Sequence, residues 1–220
     1  MRIIAGTLGG RTLTAPAGHV TRPTTDRTRS AIFSLIESRL DLDDIHVLDV
    51  FAGTGALGLE ALSRGAAHAT FVENHADAFA ALRTNVERLG VSAQVTMLRT
   101  DVLRTLPSLK GAYRLVLADP PYNLPSLPKL PNSLLVVVAP GGLVVLEHDI
   151  HTSFEGHPAL VTTRRYGETQ VSLFSKTEAA VQVPDEPAPA PEEQPPPPPA
   201  PRPKSPRSKR KLDLFWVADY

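Results

Sequence analysis

Ten consecutive residues, Asp49-Val50-Phe51-Ala52-Gly53-Thr54-Gly55-Ala56-Leu57-Gly58, constrain this chain more than any other segment. They join an apolar run at 46–51, read as a strand, to a helix over 56–64. Glycine lets the backbone turn tightly there and approach a ligand with no Cβ in the way. The surrounding sequence keeps the same alternation. Strands are expected at 69–73, 93–98, 113–119 and 142–147, and a helix over 76–89 closed by Gly90. The runs at 113–119 and 142–147 are rich in Val and Leu and apolar on both faces, so they belong in a parallel sheet covered on both sides. Two last strands, 159–165 and 169–175, are joined by Tyr166-Gly167-Glu168 and read as an antiparallel hairpin. The expected class is α/β: a Rossmann-like sheet, mostly parallel, with a C-terminal antiparallel hairpin and helices on both faces.

Ahead of that sheet, short apolar pieces at 2–5 and 11–15 surround Gly6, Gly9 and Gly10 and suggest a small β-hairpin. Thr24, Thr25 and Asp26 are N-cap groups for a helix that carries Ile32, Phe33, Leu35, Ile36 and Leu40. Residues 1–39 contain six Arg against Asp26 and Glu37, although the whole chain has zero net charge. Such a local excess can face a polyanion. At the other end, 12 of the 22 prolines fall between Pro184 and Pro206. The expected organisation is an N-terminal hairpin and Arg-rich helix (1–40), the α/β domain (41–176), and a Pro-rich, then basic, mostly disordered tail (177–220). Lys204, Arg207, Lys209, Arg210 and Lys211 form the basic cluster of that tail. With no cysteine, disulfides and thiolate chemistry are excluded. No apolar run approaches 18 residues and no secretory leader is recognisable, so a soluble, cytoplasmic protein is expected.

The glycine turn points to a nucleoside cofactor and leaves its identity open. Glu73 ends the second strand, 20 residues after Gly53, where a carboxylate can accept from both ribose hydroxyls. Gly53, Gly55 and Gly58 also satisfy the dinucleotide fingerprint. Two features tilt the choice. Asp49, just before the turn, can meet the ammonium of an amino-acid-bearing cofactor and would repel a pyrophosphate. Asp101, after the third strand, can accept from an adenine amine, or can simply cap a helix.

Asp119-Pro120-Pro121-Tyr122 ends the 113–119 strand, at the sheet edge where ligands of such folds bind. An exocyclic amine on a base is a poor nucleophile because its lone pair is delocalised into the ring. The Asp119 carboxylate and the Pro120 carbonyl can each accept one of its N–H bonds, driving the nitrogen toward tetrahedral geometry. Pro120 and Pro121 stiffen that acceptor pair, and Tyr122 offers a flat face on which an unstacked base can lie.

Together these residues resemble class I methyltransferases of the amino-methylating type, and more closely the bacterial 16S rRNA (guanine-966-N2) methyltransferase family. The resemblance runs over about residues 1–175 and includes Arg2-Ile3-Ile4-Ala5-Gly6, Gly10-Arg11, the segment from Arg22 to Arg29, Asp49 to Arg64, Asp119 to Tyr122, Glu147-His148 and Arg165-Tyr166-Gly167. It implies that Asp49, Phe51, Gly53, Gly55, Glu73, Asn74 and Asp101 hold S-adenosyl-L-methionine. It implies that Asp119, Pro120, Pro121 and Tyr122 hold the target guanine, and that Arg22, Arg27 and Arg29 lie on the RNA side. The partner implied is 16S rRNA, naked or within the 30S subunit, acted on by a monomer with no metal. One departure is the stretch after Tyr122, residues 123–131, which is short and broken by prolines where the family runs a longer helix. Two other readings stay open: methylation of adenine N6 or cytosine N4 in DNA, which the same tetrapeptide serves, and a non-catalytic RNA-binding module. The separate target-recognition domain that would favour DNA has no room outside the tail.

Overall fold

A computed structural model describes residues 1–16, 26–109 and 113–176. The expected tail (177–220) lies outside the described residues. So do Arg22 and the capping residues Thr24 and Thr25. Five helices and seven strands are described: α1 (Asp26–Glu37), β1 (His46–Val50), α2 (Ala56–Ser63), β2 (His68–Val72), α3 (Ala76–Leu89), β3 (Val95–Leu98), α4 (Val102–Thr105), β4 (Tyr113–Ala118), α5 (Leu130–Val137), β5 (Val138–Asp149), β6 (Leu160–Tyr166) and β7 (Thr169–Ser175). The strands form one sheet in the order β3-β2-β1-β4-β5-β7-β6. Only β7 runs against the other strands: it lies antiparallel to both β5 and β6. This is the expected class I methyltransferase arrangement.

The two-faced apolarity of the strands has a direct structural cause. Val47, Leu115, Leu117 and Val145 face one apolar cluster, shared with residues of α1, α2 and α3. Their neighbours Leu48, Val116, Val144 and Leu146 face the other, shared with α4 and α5. Successive strand side chains alternate between faces, so a strand covered on both sides must be apolar at every position.

Two local outcomes differ from expectation. The third strand is shorter, because Ser92–Gln94 form a 3-10 turn ahead of Val95. The fifth is longer, starting at Val138, with a register shift against β4 between Tyr113 and Leu115. The apolar run 134–139 divides between the last turn of α5 and the start of β5. Helix α5 itself follows the proline-broken stretch and accommodates Pro131 in its first turn, where a missing N–H leaves no intrahelical bond unmade.

The N-terminal residues make a minimal antiparallel clasp instead of two full strands. It has one bridge, Arg2 to Thr12, with Ile3 N–H donating to Arg11 O and Gly10 N–H to Ile3 O, both at 2.9 Å. Ile3, Leu13, Ile32, Phe33 and Ile36 lie in the same apolar cluster as Val47 and Leu59, so this extension is built into the core of the α/β unit.

Candidate active site

Parallel register sets the carboxyl ends of three strands side by side. Asp49 of β1 pairs with Phe71 of β2 on one side and Leu117 of β4 on the other. Glu73, the glycine turn and Asp119 therefore emerge along one edge. Two glycines of the turn have different duties. A Cβ on Gly58 would lie 2.4 Å from the Phe71 ring, so this position is set by close packing of α2 on β2. A Cβ on Gly53 (φ +57) would meet nothing within 4 Å, so its left-handed backbone faces open space at the strand edge. Half-buried Phe51, just before it, also has positive φ (56°), an uncommon conformation for a bulky residue and one that concentrates at functional turns.

The carboxylates beneath the turn are held by backbone donors. Asp49 is 2% exposed and accepts the Gly58 N–H at 2.8 Å. Burial pushes its carboxyl well above the usual carboxylate range. The Gly58 N–H pulls the other way, and the negative charges of Asp119 and Glu73 add to the rise. Buried Glu73 accepts from Gly53 N–H at 2.7 Å through one oxygen and from His75 N–H at 2.6 Å through the other. It thereby ties the first glycine of the turn to the start of α3, with exposed Asn74 between. Half-buried Asp101 accepts from Arg104 N–H at 3.0 Å, which makes it the N-cap of α4 in this structure.

The tetrapeptide follows β4 without a break. Asp119 is half-buried, Pro120 buried and Pro121 exposed. Tyr122 is 45% exposed, so a large aromatic side chain stands open at the same edge. Its hydroxyl lies 2.7 Å from the Thr169 hydroxyl at the start of β7. The backbone then closes on itself, with Leu124 N–H donating to Pro121 O at 2.9 Å.

The arginines divide. Arg27 is exposed on α1, as an RNA contact requires. Arg29 corrects the expectation: it is 1% exposed, and its guanidinium donates to Arg2 O at 2.6 Å and to Asp26 at 2.8 Å. Its charge holds the first residues of the chain to α1 and does not face outward.

Sequence reading missed three anchors. Asn85, 1% exposed, exchanges hydrogen bonds with both backbone groups of Thr14 and donates to Thr54 O at 3.0 Å, inside the glycine turn. Glu60, fully buried, accepts from Ile4 N–H at 2.7 Å, Ala5 N–H at 3.0 Å and Arg64 Nε at 2.8 Å. Ser63 bonds to Ala5 and to Leu8. The signal was present: Asn85 and Glu60 occupy core-facing positions of otherwise apolar helix faces, where a polar residue must have a dedicated partner. Thr169 carried no comparable signal.

Among the described residues no group of three or more His, Cys, Asp or Glu is placed to hold a metal ion, and no helix is long and apolar enough to cross a membrane.

Comparison with known proteins extends over the same region. The family model described as "Conserved hypothetical protein 95" matches residues 1–175. The chain is 36% identical over 184 residues to the Bacillus subtilis protein named "Putative rRNA methyltransferase YlbH", covering 80% of this chain and 99% of that protein. It is 34% identical over 133 residues to ribosomal RNA small subunit methyltransferase D of Buchnera aphidicola subsp. Acyrthosiphon pisum, covering 60% and 68% of the two chains. Among solved structures, "Putative methyltransferase yhhF" from Escherichia coli superposes with a TM-score of 0.70 at 30% identity, over 80% of this chain and 98% of that one.

Proposed function

This chain belongs to the conserved hypothetical protein 95 family, the 16S rRNA guanine-N2 methyltransferase family that its motifs resemble, and from that membership we propose that it methylates a base of ribosomal RNA using S-adenosyl-L-methionine. The base is a guanine of small-subunit 16S rRNA, and the acceptor is its exocyclic N2 amine. The observation that carries the reading is the meeting of Asp49, Glu73 and Asp119 at one strand edge, where their charges act on one another. A cationic cofactor relieves that repulsion, whereas the pyrophosphate of a dinucleotide would add to it. The open side of Gly53 leaves room for such a ligand against the backbone.

The cofactor, when bound, supplies an electrophilic methyl group. Everything else falls to the chain. In this reading Asp49 takes the amino-acid end, Glu73 takes the ribose, and Phe51, Gly53, Gly55, Asn74 and Asp101 complete the cradle. Asp119 and the Pro120 carbonyl accept the two N–H bonds of the target amine, and exposed Tyr122 supports the base plane. No strong base is required before transfer, because the nitrogen becomes acidic only once alkylated. Arg27 lies on the RNA side.

The test is transfer of tritiated methyl groups from the labelled cofactor to 30S subunits, naked 16S RNA and DNA in parallel, followed by nucleoside mass spectrometry. N2-methylguanine in 16S RNA supports the proposal. Label in DNA adenine or cytosine would overturn it.

A further inference from the structure

We propose that Thr169, at the first position of β7, is a positioning residue for Tyr122. The inference rests on the base-methylating reading above and adds a part of the site to it. The tetrapeptide lies just past β4, on a connection that has left the sheet. An aromatic side chain there, 45% exposed, has two rotatable side-chain bonds, so its plane is set by the contacts it makes. Thr169 is the opposite kind of residue. Its backbone is a rung of the sheet on both sides, paired with Asp149 of β5 and with Tyr166 of β6.

Because β7 runs antiparallel to β5, its first residue lies at the carboxyl edge, the edge at which Asp119 emerges. The 2.7 Å contact between the two hydroxyls therefore ties a loop side chain to a rigid point of the sheet. The adjoining turn is itself braced: Gly167 takes the positive φ (66°) it needs, and Arg165 Nε donates to Gly167 O at 2.8 Å. Restraint applied at the phenol oxygen acts on the edge of the ring and fixes the direction of its plane. The antiparallel hairpin thus does more than extend the sheet; it orients the aromatic surface of the site from the far side of β5.

The test combines a substrate-free measurement with a kinetic one. In spectra of protein carrying 13C-labelled tyrosine, the Tyr122 ring resonance is assigned by its loss in Tyr122→Phe. It shifts or broadens in Thr169→Val and returns in Thr169→Ser. In the kinetic arm, Thr169→Val lowers kcat/KM for RNA by roughly three- to tenfold, the span of an ordinary neutral hydrogen bond. It leaves the cofactor KM and the melting temperature unchanged, and Thr169→Ser restores activity. Tyr122→Phe has a similar effect, and the double variant Thr169→Val/Tyr122→Phe loses no more than either alone. An unaltered Tyr122 resonance in Thr169→Val overturns the inference. So does a double variant whose loss is the product of the two single losses. Because the spectra need no RNA, an inactive wild-type protein would count against the RNA reading alone.

Discussion

Asn85 donates from α3 to the carbonyl of Thr54 at 3.0 Å, so the glycine turn is held from beneath by a side chain that also grips Thr14 of the N-terminal segment. The turn and the extension are therefore one mechanical unit, although 40 residues separate Thr14 and Thr54 in the chain.

Replacing Asn85 with Leu should break that unit. Three backbone groups, two of half-buried Thr14 and one of buried Thr54, lose their partner, and a destabilisation of roughly 1–3 kcal/mol is expected from unpaired polar atoms. Urea denaturation gives the magnitude, and calorimetry should show weaker cofactor binding in the folded variant.

Glu60→Gln tests the second anchor. The carboxylate accepts three donors at full burial, and an amide would turn N–H groups against Ile4, Ala5 or Arg64. A loss of about 2–4 kcal/mol is expected for breaking a buried, hydrogen-bonded ion pair. Hydrogen exchange at Ile4 and Ala5 should accelerate more than exchange within β1.

If Asp49 meets the cofactor as proposed, its raised carboxyl should make cofactor affinity depend on pH. Burial is the main cause, and a bound ammonium would favour the ionised form, so binding releases a proton. Affinity should rise with pH through the interval between the bound and free values and level off above it. Calorimetric titrations from about pH 5 to about pH 8, in buffers of different ionisation enthalpy, would reveal both the trend and the proton. A flat profile would place the cofactor's cationic end away from Asp49.

Asp119→Ala should reduce methyl transfer by about 10²–10³, the usual scale for losing one preorganised hydrogen-bonding group. Cofactor affinity should change far less, since the proposed role of Asp119 is toward the acceptor amine. Removing its charge also relieves Asp49, so the pH dependence of cofactor binding should move toward lower pH. Single-turnover kinetics beside equilibrium binding separates the two effects.

His148 gives the fold its own pH response. Its ring is fully buried, with Nδ1 donating to Asp149 O and Nε2 accepting from the Ser172 hydroxyl, both at 2.8 Å. Burial lowers its pKa below the ordinary value of 6.5. The unfolded chain then binds the proton first on acidification. The stabilising contribution is complete above about pH 6.5 and is lost as pH falls through the lower, folded value. Melting temperatures should drop over that interval, and less steeply in His148→Gln.

Much of this architecture was legible because it follows from local rules. Val116 and Leu117 must both be apolar in a strand covered on two faces, and Gly90 closes α3 in the left-handed conformation where the helical spacing ends. Asp49, Glu73 and Asp119 were found as strand-end carboxylates. What could not be read depends on distant pairing or on burial. Arg29 counts as a surface charge until the fold encloses it beside Asp26. Prolines 125, 128 and 131 hid α5, although the third occupies a first turn that tolerates it. Thr169 reaches Tyr122 only because β7 inserts antiparallel beside β5, and no spacing within the hairpin announces that.

The clasp at the beginning of the chain also bears on the order of assembly. Ile4 reaches Glu60 across 56 positions and Thr14 reaches Asn85 across 71, so neither bond can form until α2 and α3 exist as helices on the sheet. Residues made earlier on the ribosome must therefore wait for those made later, and closing such long loops is slow compared with local helix formation. The segment made before α2 and α3 docks after them, and the glycine turn gains the brace on Thr54 only then. Pulse-labelling of amides during refolding should find Ile4, Ala5 and Thr14 protected after the amides of β1 and β4.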